Sequence, residues 1–403
     1  MNKAVAPRAD GLAAIFAVFL KLGLTSFGGP AAHLGYFRNE FVVRRRWLSE
    51  AEYADLVALC QFLPGPASSQ VGFCLGVLRA QGLAGGCAAW LGFTLPSALI
   101  LFACALGAAA LAGPAAAAAI HGLKLVAVAV VAHAVWGMAR SLTPDVRRAG
   151  IALAALGIVV VAGGMFGQVA AIGAGALAGL WLARGQAGAG PASHLEFGVG
   201  RRTGAAAGLL FAGLLFGTAA LSSLHAAPEP SIFDAFYRSG ALVFGGGHVV
   251  LPLLRAELVD PGWIGKDSFL AGYGIAQAVP GPLFTFAAYL GASAGMAPNP
   301  ALGATMAIVA IFLPGMLLVI AALPFWSRLR AWPAAQHAMG GANAAVVGIL
   351  GAALYDPVWT GAIVDAWDVA AALAGFLLLA TRKVPPWMVV LLLVIAGGLL
   401  RLV

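Results

Sequence analysis

Two constellations in this chain combine residue types that can hold an ion through backbone groups, amides, hydroxyls and charge. They sit 217 or 216 positions apart. The first reads Phe27-Gly28-Gly29-Pro30, then His33, Arg38, Glu40, Trp47, Gln61 and Pro64-Gly65-Pro66, with Ser68, Ser69 and Gln70 following. The second reads Phe244-Gly245-Gly246-Gly247, then His248, Arg255, Glu257, Trp263, Gln277 and Pro280-Gly281-Pro282, with Thr285 following. Each glycine tract ends or unwinds a helix and lets backbone N–H groups approach an anion, while a new helix N-terminus adds partial positive charge. Each Pro-Gly-Pro removes backbone donors and breaks the helix ladder, which leaves free carbonyls upstream and free N–H groups downstream. Such a site replaces the water shell of an oxyanion. The competing readings are close helix packing through small residues for the glycines and a plain kink for the prolines.

Charge inside the apolar stretches points the same way. Lys21 faces Arg238 in the aligned halves, and both interrupt apolar runs where an unpaired charge costs several kcal/mol. They are read as positive charge for an anion near the centre, against snorkelling to an interface as the alternative. Lys124 is a third such candidate, and the matching region of the second half carries Asn343. Arg38 with Glu40, and Arg255 with Glu257, are read as short-range pairs, either gate contacts or loop ion pairs. His33 and His248 follow the glycine tracts without aligning, which favours structural roles over proton coupling. No HExxH, ordered Ser-His-Asp set or carboxylate pair stands out, so neither a metal site nor embedded hydrolase chemistry is expected.

The elements that must position these residues are membrane helices. Of 403 residues, 62% are hydrophobic and only 9% charged, and the mean hydropathy is +0.94; soluble domains carry roughly a quarter charged residues. Apolar runs of about 20 residues recur along the chain, continuous rather than alternating, which excludes a β-barrel. The reading is an all-α polytopic membrane protein with about thirteen hydrophobic segments. The net charge of +8 comes largely from loop arginines, so lipid topology explains it better than nucleic acid. The N-terminal run after Lys3 and Arg8 imitates a signal peptide, but it carries Lys21 and begins the repeated unit, so it is read as retained. Four cysteines, Cys60, Cys74, Cys87 and Cys104, lie in apolar stretches without a CxxC pair, as small apolar residues would.

Repetition sets the architecture. Ten of the positions 15–40 are identical to their counterparts in 232–257: Ile15, Phe16, Phe19, Gly23, Phe27, Gly28, Gly29, Leu34, Arg38 and Glu40. Leu95-Pro96 likewise matches Leu313-Pro314. The expected division is a first transporter repeat over 1–184, a linker plus connecting helix over 185–230, and a second repeat over 231–403 in the opposite orientation. With the N-terminus inside, the basic loops alternate as the positive-inside rule requires, except for Arg38, Arg44, Arg45 and Arg46. Two re-entrant hairpins at 11–43 and 52–79 remove that exception; crossings remain the alternative. Matching broken segments in inverted halves are the sequence pointer to the binding site of a secondary transporter.

Together, Phe27-Gly28-Gly29-Pro30-x-x-His33, Arg38, Glu40, Phe244-Gly245-Gly246-Gly247 and both Pro-Gly-Pro motifs resemble the chromate ion transporter family of bacteria, in its long two-domain form. The departures are Gly247 in place of proline and the lack of a histidine matching His33. The resemblance implies a multi-pass inner-membrane protein that exports chromate, with sulfate as competitor, driven by the energised membrane and conferring chromate resistance. It implies no cofactor and no enzymatic activity. The expected partners are the chromate or sulfate dianion and the lipid bilayer, without nucleic acid; a homodimer is left open. A sulfate or other oxyanion carrier, or a passive anion channel, is the alternative.

Overall fold

The computed structural model describes residues 11–110, 113–182, 197–224, 228–295, 297–330, 332–381 and 384–402, and among them every regular element is helical. Lys3, Arg8, Arg184, Arg382, Lys383 and the linker up to residue 196 lie outside the described residues.

In the first half, α1 (Leu12–Thr25) and α2 (Gly29–Phe37) meet at the first glycine tract, and a π-helical turn (Arg38–Arg44) follows. Next, α3 (Glu50–Phe62) and α4 (Ala67–Ala80) flank the first Pro-Gly-Pro; then come α5 (Leu83–Ala110), α6 (Pro114–Leu142), α7 (Val146–Ala162) and α8 (Gly164–Leu182). A connecting helix, α9 (Arg201–Leu224), leads to the second half. There α10 (Pro228–Ala241) and α11 (Val250–Leu254) flank the second glycine tract, with a π-helical turn (Arg255–Val259) after them. The second Pro-Gly-Pro separates α12 (Lys266–Ala278) from α13 (Phe286–Ser293). Last come α14 (Pro300–Ala322), α15 (Trp326–Arg330), α16 (Pro333–Ala353), α17 (Thr360–Ala362), α18 (Ala366–Thr381) and α19 (Pro386–Leu402).

Local signals explain the boundaries. Ser49 and Glu52 form a reciprocal capping box at the start of α3, and Asp145 and Asn299 cap α7 and α14. Leu83–Ala108, Ala116–Leu142, Gly164–Trp181, Pro300–Phe325 and Pro333–Ala362 are long and apolar enough to cross a membrane. The four helices flanking the first-half breaks have 14, 9, 13 and 14 residues. At 1.5 Å per residue none reaches the roughly 30 Å of a hydrocarbon core alone.

The broken segments turn back on themselves. Phe19 of α1 stacks on Phe41 at 5.1 Å and meets Phe37 edge-on at 5.8 Å, although Gly28 lies between them in sequence. The Arg79 guanidinium at the end of α4 sits 4.8 Å over the Trp47 ring. A chain that crossed fully between residues 12 and 44 and again between 50 and 80 would hold Trp47 and Arg79 a bilayer apart. Re-entrant hairpins bring them to one end of the molecule, and so remove the arginine exception noted from the sequence.

The halves interlock through glycine. α6 packs against α18 and α19, and α16 against α7 and α8, so the later helices of each half complete the other. A Cβ at Gly341 would lie 2.0 Å from the Gly175 carbonyl, and one at Gly397 2.5 Å from the Gly122 Cα. Backbones approach this closely only without side chains between them. Gly340, one position before, has open space around it. Gly341→Ala is therefore expected to destabilise the detergent-purified protein by about 1–3 kcal/mol, with Gly340→Ala near neutral, as read by thermal unfolding.

Candidate functional site

The broken helices of the two halves are stitched to each other by backbone hydrogen bonds. Gly65 N–H donates to the Val243 carbonyl at 2.7 Å, and Gly281 N–H donates to the Ser26 carbonyl at 2.9 Å. Gly65 and Gly281 are equivalent in the repeat, as are Ser26 and Val243, so each Pro-Gly-Pro docks beside the opposite glycine tract. Both glycines adopt positive φ, +124° and +107°, a conformation a side chain disfavours. Pro30 meets the position of a Gly247 Cβ at 3.1 Å, which brings the two glycine tracts together.

A cavity of about 610 Å³ lies where the first glycine tract meets the second Pro-Gly-Pro. Phe27, Gly28, Gly29, Ala32 and Tyr36 form one wall; Ala276, Gln277, Val279, Gly281 and Leu283 form another. His133 on α6, His248, Leu379 and Val384–Pro386 close the circuit. Gly28 caps α2 in the left-handed region, with φ 100°, so the first-turn N–H groups of α2, which lack intrahelical acceptors, stand at the wall. The Gln277 side-chain amide nitrogen is buried without a hydrogen-bond partner. Among the described residues the lining contains no Lys, Arg, Asp or Glu. An anion held here meets dipoles, amide donors and imidazoles, not fixed charge.

The equivalent tracts do other work. A Cβ at Gly245 would meet Leu142 at 3.1 Å, one at Gly246 would approach Met138, and Gly65 backs onto Gly315. Gln70 donates to the Pro64 and Gly315 carbonyls at 2.9 and 3.0 Å. Ser68 faces His33 at 3.4 Å, and Thr285 donates to the Pro282 carbonyl at 2.7 Å. Pro66 and Pro280 flank their breaks, and Gln61 is exposed. His33 is buried against Phe93 and does not line the cavity.

The basic candidates stand outside the cavity, and most are engaged with acids. Arg238 bonds Glu257 at 2.8 Å and Asp234 at 3.1 Å. Lys124 pairs with Asp267, and Lys21 is exposed. The expected short-range pairs also resolve differently: Arg38 pairs with Glu50, while Glu40 takes Arg45 at 2.6 Å and Arg44 at 3.1 Å. Burial opposes ionisation of Glu40, but the two arginines outweigh it and hold its carboxyl below the usual range. Arg255 bonds Asp356 at 2.7 Å and Asp260 at 3.4 Å, leaving Glu257 to Arg238. Residues two apart on a helical turn point to different sides, so neither Arg-x-Glu could pair internally.

Opposite ends of the molecule differ. Lys124–Asp267 fastens α12 to α6, and Asp356 gathers Arg255, Lys266 and Thr360. α12 packs along α6 and α19, whereas its counterpart α3 packs chiefly on α4 and the π-helical turn after α2. The lining meanwhile runs out to Tyr36, 42% exposed, and to Val384–Pro386. α19 runs antiparallel to α6, with Gly397 beside Gly122, so those residues lie toward the end of α6 that carries Arg140. α12 is thus pinned by ion pairs at its Lys266 end, and the lining leads toward the arginine-rich end.

A multi-pass helical membrane protein with a cavity that holds no Lys, Arg, Asp or Glu between crossed helix breaks is a transporter in kind. The chain belongs to the chromate transporter family, whose pattern matches residues 13–180 and 230–399. It is similar to the chromate transport protein of Pseudomonas aeruginosa, 31% identical over 365 residues that cover 85% of this chain and 80% of that protein. A probable chromate transport protein of Synechococcus elongatus is 28% identical over 350 residues, 83% of this chain and 82% of its own. The chromate transport protein of Cupriavidus metallidurans is 26% identical over 335 residues, 82% and 79% of the two chains. No solved structure matches.

Sequence reasoning missed His133, Tyr36, Leu379 and Val384–Pro386, which belong to no repeated motif. In a variant lacking the native cysteines, Ala32→Cys at the cavity wall is expected to react with a small charged thiol reagent. Chromate or sulfate is expected to slow that reaction several-fold and to leave Gly340→Cys unaffected.

Proposed function

We propose that the protein is a secondary transporter that carries chromate outward across the bacterial inner membrane, with sulfate competing for the same site. The observation that carries this reading is the cavity between the first glycine tract and the second Pro-Gly-Pro. It combines α2 N-terminal donors, an unpartnered Gln277 amide and two imidazoles with no carboxylate. A tetrahedral dianion needs many donors to offset lost hydration, and the Gly29 end of α2, the Gln277 amide and the two imidazoles together offer several. The relatives named as chromate transport proteins support chromate as the cargo.

The end to which the cavity leads supports an outward direction. The arginine-rich end, with Arg44, Arg45, Arg46, Arg79 and Arg140, is the cytoplasmic face by the positive-inside rule, so the cavity faces the cytoplasm and is loaded from there. Opening to the other side requires α12 to leave α6, and the inverted repeat offers the complementary state in which α3 closes as α12 opens. An inside-negative potential favours outward movement by about 2.3 kcal/mol per charge at 100 mV.

The test is radiolabelled chromate flux in proteoliposomes under an imposed potassium-diffusion potential. Saturable flux that follows the potential and is inhibited by external sulfate is expected. Unsaturable flux linear in concentration would replace the carrier with a channel, and flux of sulfate alone would replace the cargo.

A further inference from the structure

The cavity lacks fixed positive charge, yet the proposed cargo carries two negative charges. Its ionisable side chains are His133 on α6, His248 after the second glycine tract, and Tyr36 on α2. His248 is held in a defined pose, with Nδ1 2.7 Å from the hydroxyl of the buried Tyr273 on α12. Its Nε2 faces the first glycine tract, 3.8 Å from where a Gly29 Cβ would stand. His133 lines the same cavity from α6, and it rests edge-on against Phe376 of α18 at 6.1 Å. The charged residues on the helices packed around them form their own pairs: Lys124 with Asp267 between α6 and α12, and His121 with Asp368 between α6 and α18. His337 of α16 lines a separate pocket. The two cavity imidazoles are therefore the groups on which a proton can be placed against the anion.

Resting on the transport reading above, we infer that His133 and His248 supply the missing charge as a proton-loading pair. When the dianion enters, one proton from the cytoplasmic water is taken up and shared between the two imidazoles. Their mutual repulsion keeps a second proton off, and the Tyr273 contact keeps the His248 ring turned toward Gly29. On release to the other side the proton leaves with the anion and the neutral pair returns. No covalent bond forms or breaks; each cycle moves one dianion and one proton together, a net single negative charge. This makes the pair a specificity device: with no anion present the cavity stays neutral, and a monovalent anion gains less from the proton than a dianion does.

The experiment measures proton movement alongside chromate and sulfate flux in proteoliposomes holding the full chain, with the potential clamped and a pH dye inside. About one proton per anion is expected for both anions. The sulfate arm matters because sulfate carries no proton of its own near neutral pH, so a proton moving with it is held by the protein. In His133→Gln/His248→Gln the count is expected to fall to near zero with slower flux, while His337→Gln leaves it unchanged. Chromate or sulfate flux without protons in the native protein would overturn the inference and leave the transport reading intact. An undiminished proton count in the double variant would also overturn it, because the proton would then be carried by another group of the protein or, with chromate alone, by the anion itself. No flux of either anion would remove both.

Discussion

Two reciprocal backbone hydrogen bonds hold the centre of this protein together: Gly65 to Val243 and Gly281 to Ser26. Each joins a Pro-Gly-Pro of one half to the residue just before the glycine tract of the other. In a bilayer an unsatisfied backbone group costs several kcal/mol, so a broken helix persists at membrane depth only if protein answers its exposed groups. Here each half answers the other. That constraint explains why the breaks occur in matched pairs, why Gly65 and Gly281 adopt φ values that favour glycine, and why the later helices of each half pack on the opposite half. The breaks are held in place by exchange between the halves.

Once the breaks are stitched, the remaining free donors have a direction. The N-terminus of α2 and the Gln277 amide meet at one cavity, while the equivalent tracts are filled by Met138, Leu142, Gly315 and Gln70. The two halves share a plan but differ in state. α12 is fastened by Lys124–Asp267 and by the ions gathered on Asp356; α3 instead holds Arg38 through Glu50, and Asn343 stands in the region of the repeat that matches Lys124. The charged residues thus pair with one another around α12, and neutral ones line the cavity.

Much of this was legible in the sequence because the matching residues were Gly, Pro, Arg, Glu and Gln, not common apolar ones. The all-helical membrane class and the broken helices could be read from composition and spacing, which set all four Gly/Pro tracts around one site; of these, Gly28, Gly29, Gln277 and Gly281 line the cavity. What could not be read depended on folding back. Arg38 and Glu40 lie two positions apart and invite pairing, but π-helical turns direct them to Glu50 and to Arg44 and Arg45. The intramembrane position of Lys124 and Arg238 suggested substrate charge, but Asp267, Asp234 and Glu257 reach them from elsewhere in the fold. His133 carries no motif, since it comes from an alanine-rich and valine-rich stretch of α6 whose equivalent on α16 is an alanine. Only the tertiary crossing brings it to the site.

The central claim is that an oxyanion sits among backbone donors between the two halves and away from the guanidinium groups. The most direct measurement is the anomalous scattering of chromium in crystals of the protein grown with chromate. A single strong peak bounded by Gly29, Gln277, Gly281 and His248 is expected. A peak lodged instead at Arg255 and Lys266, or beside Arg147 and Arg148, with the central cavity empty, would contradict it.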